Sequence, residues 1–188
     1  MDSTRPLREI RAVYTDSTIR VYQAYNSTIA AEAVRNGTFG SHFSMTRMTW
    51  IKPSFLWMMY RSGWGEKEGQ EHILAIDIKR EGFDTALRSA VASSYREDMG
   101  ITREQWQESI KSSDVRIQWD PEKDIHGNDL DCRSVQIGLR GKAVHDYVYD
   151  WIVSLTDITE EVRRLDAMRK QGIDISSLLP DEKVYTPG

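Results

Sequence analysis

One cysteine, Cys132, in 188 residues excludes an internal disulfide, and without a CxxC or CxxH partner it offers no structural zinc site. A single thiol fits a reducing compartment, so the cytoplasm is the expected location. No uncharged apolar stretch reaches the roughly 18 residues of a membrane span, and the opening MDSTRPLREIRAVY has no apolar core of the secretory kind. No membrane partner is expected. Equally missing are a GxxxxGK[ST] phosphate loop, HExxH, a GxSxG elbow and the Rossmann glycine fingerprint, which removes large enzyme classes. His42, His72, His126 and His145 are scattered without metal-ligand spacing, so no metal is expected. An excess of positive charge is lacking as well: 25 Lys and Arg against 29 Asp and Glu give −4, far from a dedicated nucleic-acid binder.

The distribution of charge says more than its total. Residues 1–65 carry eight basic and four acidic groups, while every later third is net acidic. From Ala33 to Gly65 there is no Asp or Glu at all. Arg35, Arg47, Lys52 and Arg61 are interleaved there with Phe39, Phe43, Trp50, Phe55, Trp57, Tyr60 and Trp64, a pattern that would draw an anionic ligand. The seven-residue spacing of Trp50, Trp57 and Trp64 is also that of a packed helix face, and this is the simpler reading of the apolar members. It leaves Arg47, Lys52 and Arg61 unexplained, because an uncompensated buried cation is costly. The hydroxyls of Ser44, Thr46, Thr49 and Ser54 add donors suited to a phosphate or a ribose.

A chain of this length buries about 70% of its unfolded surface without staples, and no linker or repeat divides it. One α+β domain over residues 1–188 is expected, with a core at 8–171 and a tail at 172–188 that wraps the surface or stays partly mobile. Alternation marks strands at Ile19–Tyr25, His72–Ile78, Asp114–Asp120, Cys132–Leu139 and Trp151–Ile158. The Asp114 and Cys132 strands could pair as antiparallel neighbours about the polar loop 120–129. Helices are expected at Ile29–Arg35 with an Asn36-Gly37 cap, at Pro53–Arg61 with Pro53 in the first turn, at Gly82–Ser94, from Thr102, at Gly141–Val148 and at Glu160–Lys170. The result is a mixed, mostly antiparallel sheet with flanking helices. Cys132 reads as a small buried residue, and Ser134 and Gln136 occupy the polar face of their strand.

The run Arg47–Trp64, together with Ile10–Tyr14, Ile19–Tyr25, Leu74–Ile78, Arg116–Pro121 and Ser134–Leu139, resembles the bacterial and fungal domain-of-unknown-function family 4291 over roughly residues 8–185. Beneath it lies a second likeness. The opening strand, helix and Asn36-Gly37-Thr38-Phe39 turn, followed by Phe43–Arg47, resembles the start of an ADP-ribosyltransferase-like domain. That resemblance implies NAD as cofactor, with Arg20, Tyr60 or Ser44, and Gln136 as the catalytic positions. Arg47, Lys52 or Arg61 would hold the pyrophosphate, Ser44 and Trp50 would help to bind the cofactor, and a Tyr or Trp would stack on the nicotinamide. Gln136 stands where Glu is usual, a group that hydrogen-bonds but takes up no proton. In size and scarcity of motifs the chain is also similar to small fungal proteins that make arginine-containing cyclic dipeptides from charged tRNA. That reading implies that Arg5, Arg8, Arg11 and Arg20 join Arg47, Lys52 and Arg61 on one basic face. A non-enzymatic ligand-binding domain is the third expectation.

Overall fold

The computed structural model describes residues 7–188. Chain order runs β1 (Arg11–Ala12), β2 (Thr18–Tyr25), α1 (Ser27–Asn36), β3 (Thr49–Ile51), α2 (Phe55–Ser62), β4 (His72–Lys79), α3 (Arg80–Ser89) and β5 (Val91–Ala92). It continues with α4 (Arg103–Ser112), β6 (Val115–Lys123), β7 (Asp129–Leu139), α5 (Gly141–Asp146), β8 (Ile152–Asp157), α6 (Thr159–Lys170) and β9 (Lys183–Val184). The fold is α+β. A three-stranded antiparallel sheet has the order β2-β4-β8, and a four-stranded sheet has the order β3-β7-β6-β5, in which only the β5–β6 pair is parallel. The two meet where the Tyr22 N–H donates to the Lys52 carbonyl at 2.8 Å.

Alternation explains how the layers stack. Ile19 and Val21 of β2 with Leu74, Ile76 and Ile78 of β4 point to one face and pack with Ile137 and Leu139 of β7, Phe83 and Tyr147. Tyr22, Ile73 and Ala75 point to the other face and are covered by Phe55, Met58 and Met59 of α2 and by Val162 and Leu165 of α6. The three-stranded sheet is thus a middle layer.

Local chemistry sets most boundaries where the sequence puts them. Asn26 caps α1 by accepting from the Ile29 N–H, and Gly37 closes it in the left-handed region. Thr102 and Gln105 form a capping box on α4. Four expectations change. The helix expected through Ser94 ends at Ser89, because Val91 and Ala92 are taken up as an edge strand beside β6. The loop expected at 120–129 shrinks to a turn around Asp124, whose carboxylate accepts from His126, Asn128 and the Asn128 side chain while β6 and β7 extend on either side. Ser54, not Pro53, opens α2, because its hydroxyl can accept the Trp57 N–H. Trp50 lies on β3, so the seven-residue tryptophan spacing does not mark one helix face. After α5 the chain widens into a π turn at Tyr147–Trp151. The tail is pinned: β9 pairs with β1, and Tyr185, 3% exposed, donates to Asp84 at 2.6 Å.

Candidate functional site

A cleft of about 870 Å³ opens between the end of β2, the 42–50 segment, α2 and the polar face of the β3-β7-β6 sheet. Its floor follows from strand register. Trp50 pairs with Gly138, Gln118 with Gln136, and Asp120 with Ser134, so these side chains share the face opposite Val135, Ile137 and Leu139. A Cβ on Gly138 would stand 3.0 Å from the Trp50 ring and 2.7 Å from Met48 Sδ, so glycine is what lets the indole lie down on β7. Asp120 is held by both neighbouring amides, accepting from Gln118 Nε2 at 2.8 Å and from Gln136 Nε2 at 2.6 Å.

Lys52 follows Trp50 by two residues and therefore faces the same way. It is 7% exposed and lines the cleft, and no carboxylate lies within salt-bridge distance of it among the described residues. Its Nζ reaches the Trp50 carbonyl at 3.5 Å and sits 5.4 Å from the Trp57 ring centroid. Burial, and secondarily the charge of Arg61, push the Lys52 ammonium down to about 7, with Asp120 acting in the opposite direction.

The walls supply charge and rings. Trp57 and Arg61 lie one helical turn apart on α2, and Ser44 and Arg47 come from the opposite loop. That loop is anchored by Glu32, which accepts from Ser41 Oγ and the His42 N–H at 3.0 and 2.9 Å. These bonds, the His42 backbone bond above all, hold the Glu32 carboxyl down at about 2. Gly40 has no room for a Cβ, which would meet the Glu32 side chain at 2.3 Å. Gln23 and Tyr25, at the end of β2, complete the wall.

Of the residues singled out from sequence, Ser44, Arg47, Trp50, Lys52, Arg61 and Gln136 line this one cleft. Arg20 and Tyr60 do not. Arg20 is spent on a bidentate pair with Asp77 at 2.8 and 2.9 Å, placed by the Arg20–Asp77 register of β2 and β4. Tyr60 is 50% exposed on the far side of α2, with the Lys123 ammonium 3.8 Å from its ring centroid. Ser54 is the α2 cap and donates to Glu122. Cys132 is only half-buried. Of the arginines expected to extend a basic face, Arg11 pairs with Glu9, Arg20 with Asp77, and Arg8 lies over Trp119. Arg5 lies outside the described residues. Sequence reading missed Gln23, Tyr25, Gln118 and Asp120, although the polar alternation Arg116, Gln118, Asp120 opposite Ser134, Gln136 was a usable signal.

The fold and cleft define a small α+β protein with a cleft lined by arginine, lysine and aromatic rings. The chain belongs to the family described as "Domain of unknown function (DUF4291)", whose model matches residues 9–185. No curated protein matches it.

Proposed function

We propose that the chain is a transferase acting at an acyl carbon, taking an aminoacyl group from the 3′ end of charged tRNA and passing it to an amine. The observation that carries this reading is Lys52, a buried, cleft-lining amine held at about 7 with no carboxylate partner among the described residues. Acyl transfer from an ester to an amine needs a base for the attacking ammonium, and a base is most useful when its pKa lies near the working pH. In this mechanism neutral Lys52 takes the proton of the attacking ammonium and the C–N bond forms. The C–O bond to the ribose then breaks: Lys52 returns that proton to the ribose oxygen, takes the second proton from the nitrogen that becomes the amide, and releases it to solvent. A second such step within the dipeptidyl ester closes a cyclic dipeptide, in keeping with the likeness to proteins that make arginine-containing ones. Arg47 and Arg61 would receive the terminal phosphates, and Trp50 or Trp57 would stack on the terminal adenine.

With Arg11 and Arg20 engaged elsewhere, the cleft fits one or two nucleotides of an acceptor end rather than a duplex. That same locality favours a second reading, NAD-dependent ADP-ribosyl transfer, in which Gln136 would bond the nicotinamide-side ribose and Arg47, Lys52 or Arg61 the pyrophosphate. The cationic lining weighs against it, because positive charge near an oxocarbenium-like centre raises the barrier.

Incubation of the protein with mixed aminoacyl-tRNA, and separately with NAD, separates the two by mass spectrometry. Cyclic dipeptide is expected from the first, with a rate that rises through pH of about 7, and Lys52→Met is expected to lose it. Free nicotinamide from the second, with no dipeptide from the first, would replace the acyl-transfer reading by the NAD one.

A further inference from the structure

The hydrogen-bond directions around Gln23 are set by one group that cannot donate, the Trp50 carbonyl. One end of the Gln23 amide lies 3.2 Å from that oxygen, so it must be the NH2 end. The same nitrogen donates to Tyr25 Oη at 2.9 Å. Gln23 Oε1 at the other end therefore receives the proton of Tyr147, 2.6 Å away and fully buried. It follows that Tyr25 Oη accepts from Gln23 and must direct its own proton elsewhere. Among the described residues no acceptor takes it.

Tyr25 lines the cleft, and its ring is held edge-on by Phe39 and Phe43 at centroid distances of 5.4 and 6.0 Å. Burial keeps the phenol protonated far above the ordinary range, so it remains a donor at any working pH; the nearby charge of Arg47 acts the other way but does not overcome it. The Trp50 carbonyl that orients Gln23 also receives Lys52 Nζ. Base and donor are thus tied to one backbone oxygen by a short chain of hydrogen bonds.

We propose that Tyr25 is the hydrogen-bond donor to the acyl carbonyl oxygen of the substrate, the oxygen that becomes negative when the amine adds, with Gln23 and Tyr147 as positioning residues. The proposal rests on the acyl-transfer reading of the cleft. When the C–N bond forms, the carbonyl π pair moves onto this oxygen. It returns when the C–O bond to the ribose breaks, and the Tyr25 O–H bond stays intact throughout. A donor preset for a charge that develops only in the transition state acts on turnover more than on binding.

The test uses two unreactive probes with the full chain. One is an adenosine carrying an amino acid through a 3′ amide, which presents the carbonyl; the other is AMP, which does not. Tyr25→Phe, which keeps the ring contacts, is expected to weaken the amide probe about 5- to 10-fold and leave AMP within about twofold, while turnover falls roughly 100-fold. Gln23→Glu places a carboxylate where it takes the Tyr25 proton, and is expected to give the same losses with the tyrosine still present. Equal affinity of wild type and Tyr25→Phe for the amide probe, with unchanged turnover, would overturn the proposal alone. Wild type that binds AMP but not the amide probe, and forms no dipeptide, would overturn the acyl-transfer reading and this proposal with it.

Discussion

Lys52, buried, and Glu182, half-buried, are two ionisable groups whose titration tilts stability in opposite directions. Glu182 accepts the Phe55 N–H at 2.7 Å at the start of α2, and burial, with Glu122 nearby, pushes its carboxyl up from 4.5 to about 8. The folded state therefore holds this proton more tightly than the unfolded chain. The resulting stability is complete below about 4.5 and is lost as pH rises through 8. Lys52 is lowered from 10.5 to about 7, so its penalty is absent above 10.5 and grows as pH falls through 7. Glu182→Gln, whose amide oxygen can still accept from Phe55, should flatten the decline between pH 5 and 8. Lys52→Met should raise stability at pH 6 and lose that gain toward pH 10. Urea unfolding across pH checks both, and parallel curves for variants and wild type would contradict the assignments.

At the scale of elements, the sequence shows what is decided within a few residues and hides what is decided by register. The Asn26 and Thr102 caps, the left-handed Gly37 and the acid-free segment that became two cleft walls all rest on near neighbours along the chain. The floor is different. Gln118, Asp120 and Gln136 become one hydrogen-bonded unit only because β6 and β7 pair in a particular register, and Gln23 reaches the same cleft, as part of its wall, only because β2 bridges to Lys52. Arg20 illustrates the converse, since the ADP-ribosyltransferase-like resemblance implied a site position while its cross-strand partner Asp77 lies 57 residues away. Gly138→Ala tests the floor as an element: the new methyl would push the Trp50 indole off β7. We expect a shift in tryptophan emission and a several-fold weaker affinity for a nucleotide probe, with the far-ultraviolet dichroism unchanged. An unshifted emission would show that the Trp50 ring and Met48 yield without moving the site.

For the whole molecule, charge is uneven rather than large. A net −4 surface carries one cleft with Arg47, Lys52 and Arg61, so long-range attraction to RNA is weak and recognition falls to the cleft itself. Binding of a short single-stranded acceptor-end oligonucleotide should depend on salt with a log–log slope no steeper than about −2, the value for three neutralised phosphates on a single strand. A slope of −5 or beyond would mean that surface outside the cleft grips the nucleic acid. The tail also has a bearing on when the protein becomes competent. Glu182 contacts the first residue of α2 across 127 positions of chain, and β9 closes on β1. At ribosomal speeds of about 10 residues per second, the helix that roofs the cleft waits on the order of ten seconds for its final contact. During synthesis the nascent chain can pair β2 with β4 well before it holds a finished roof.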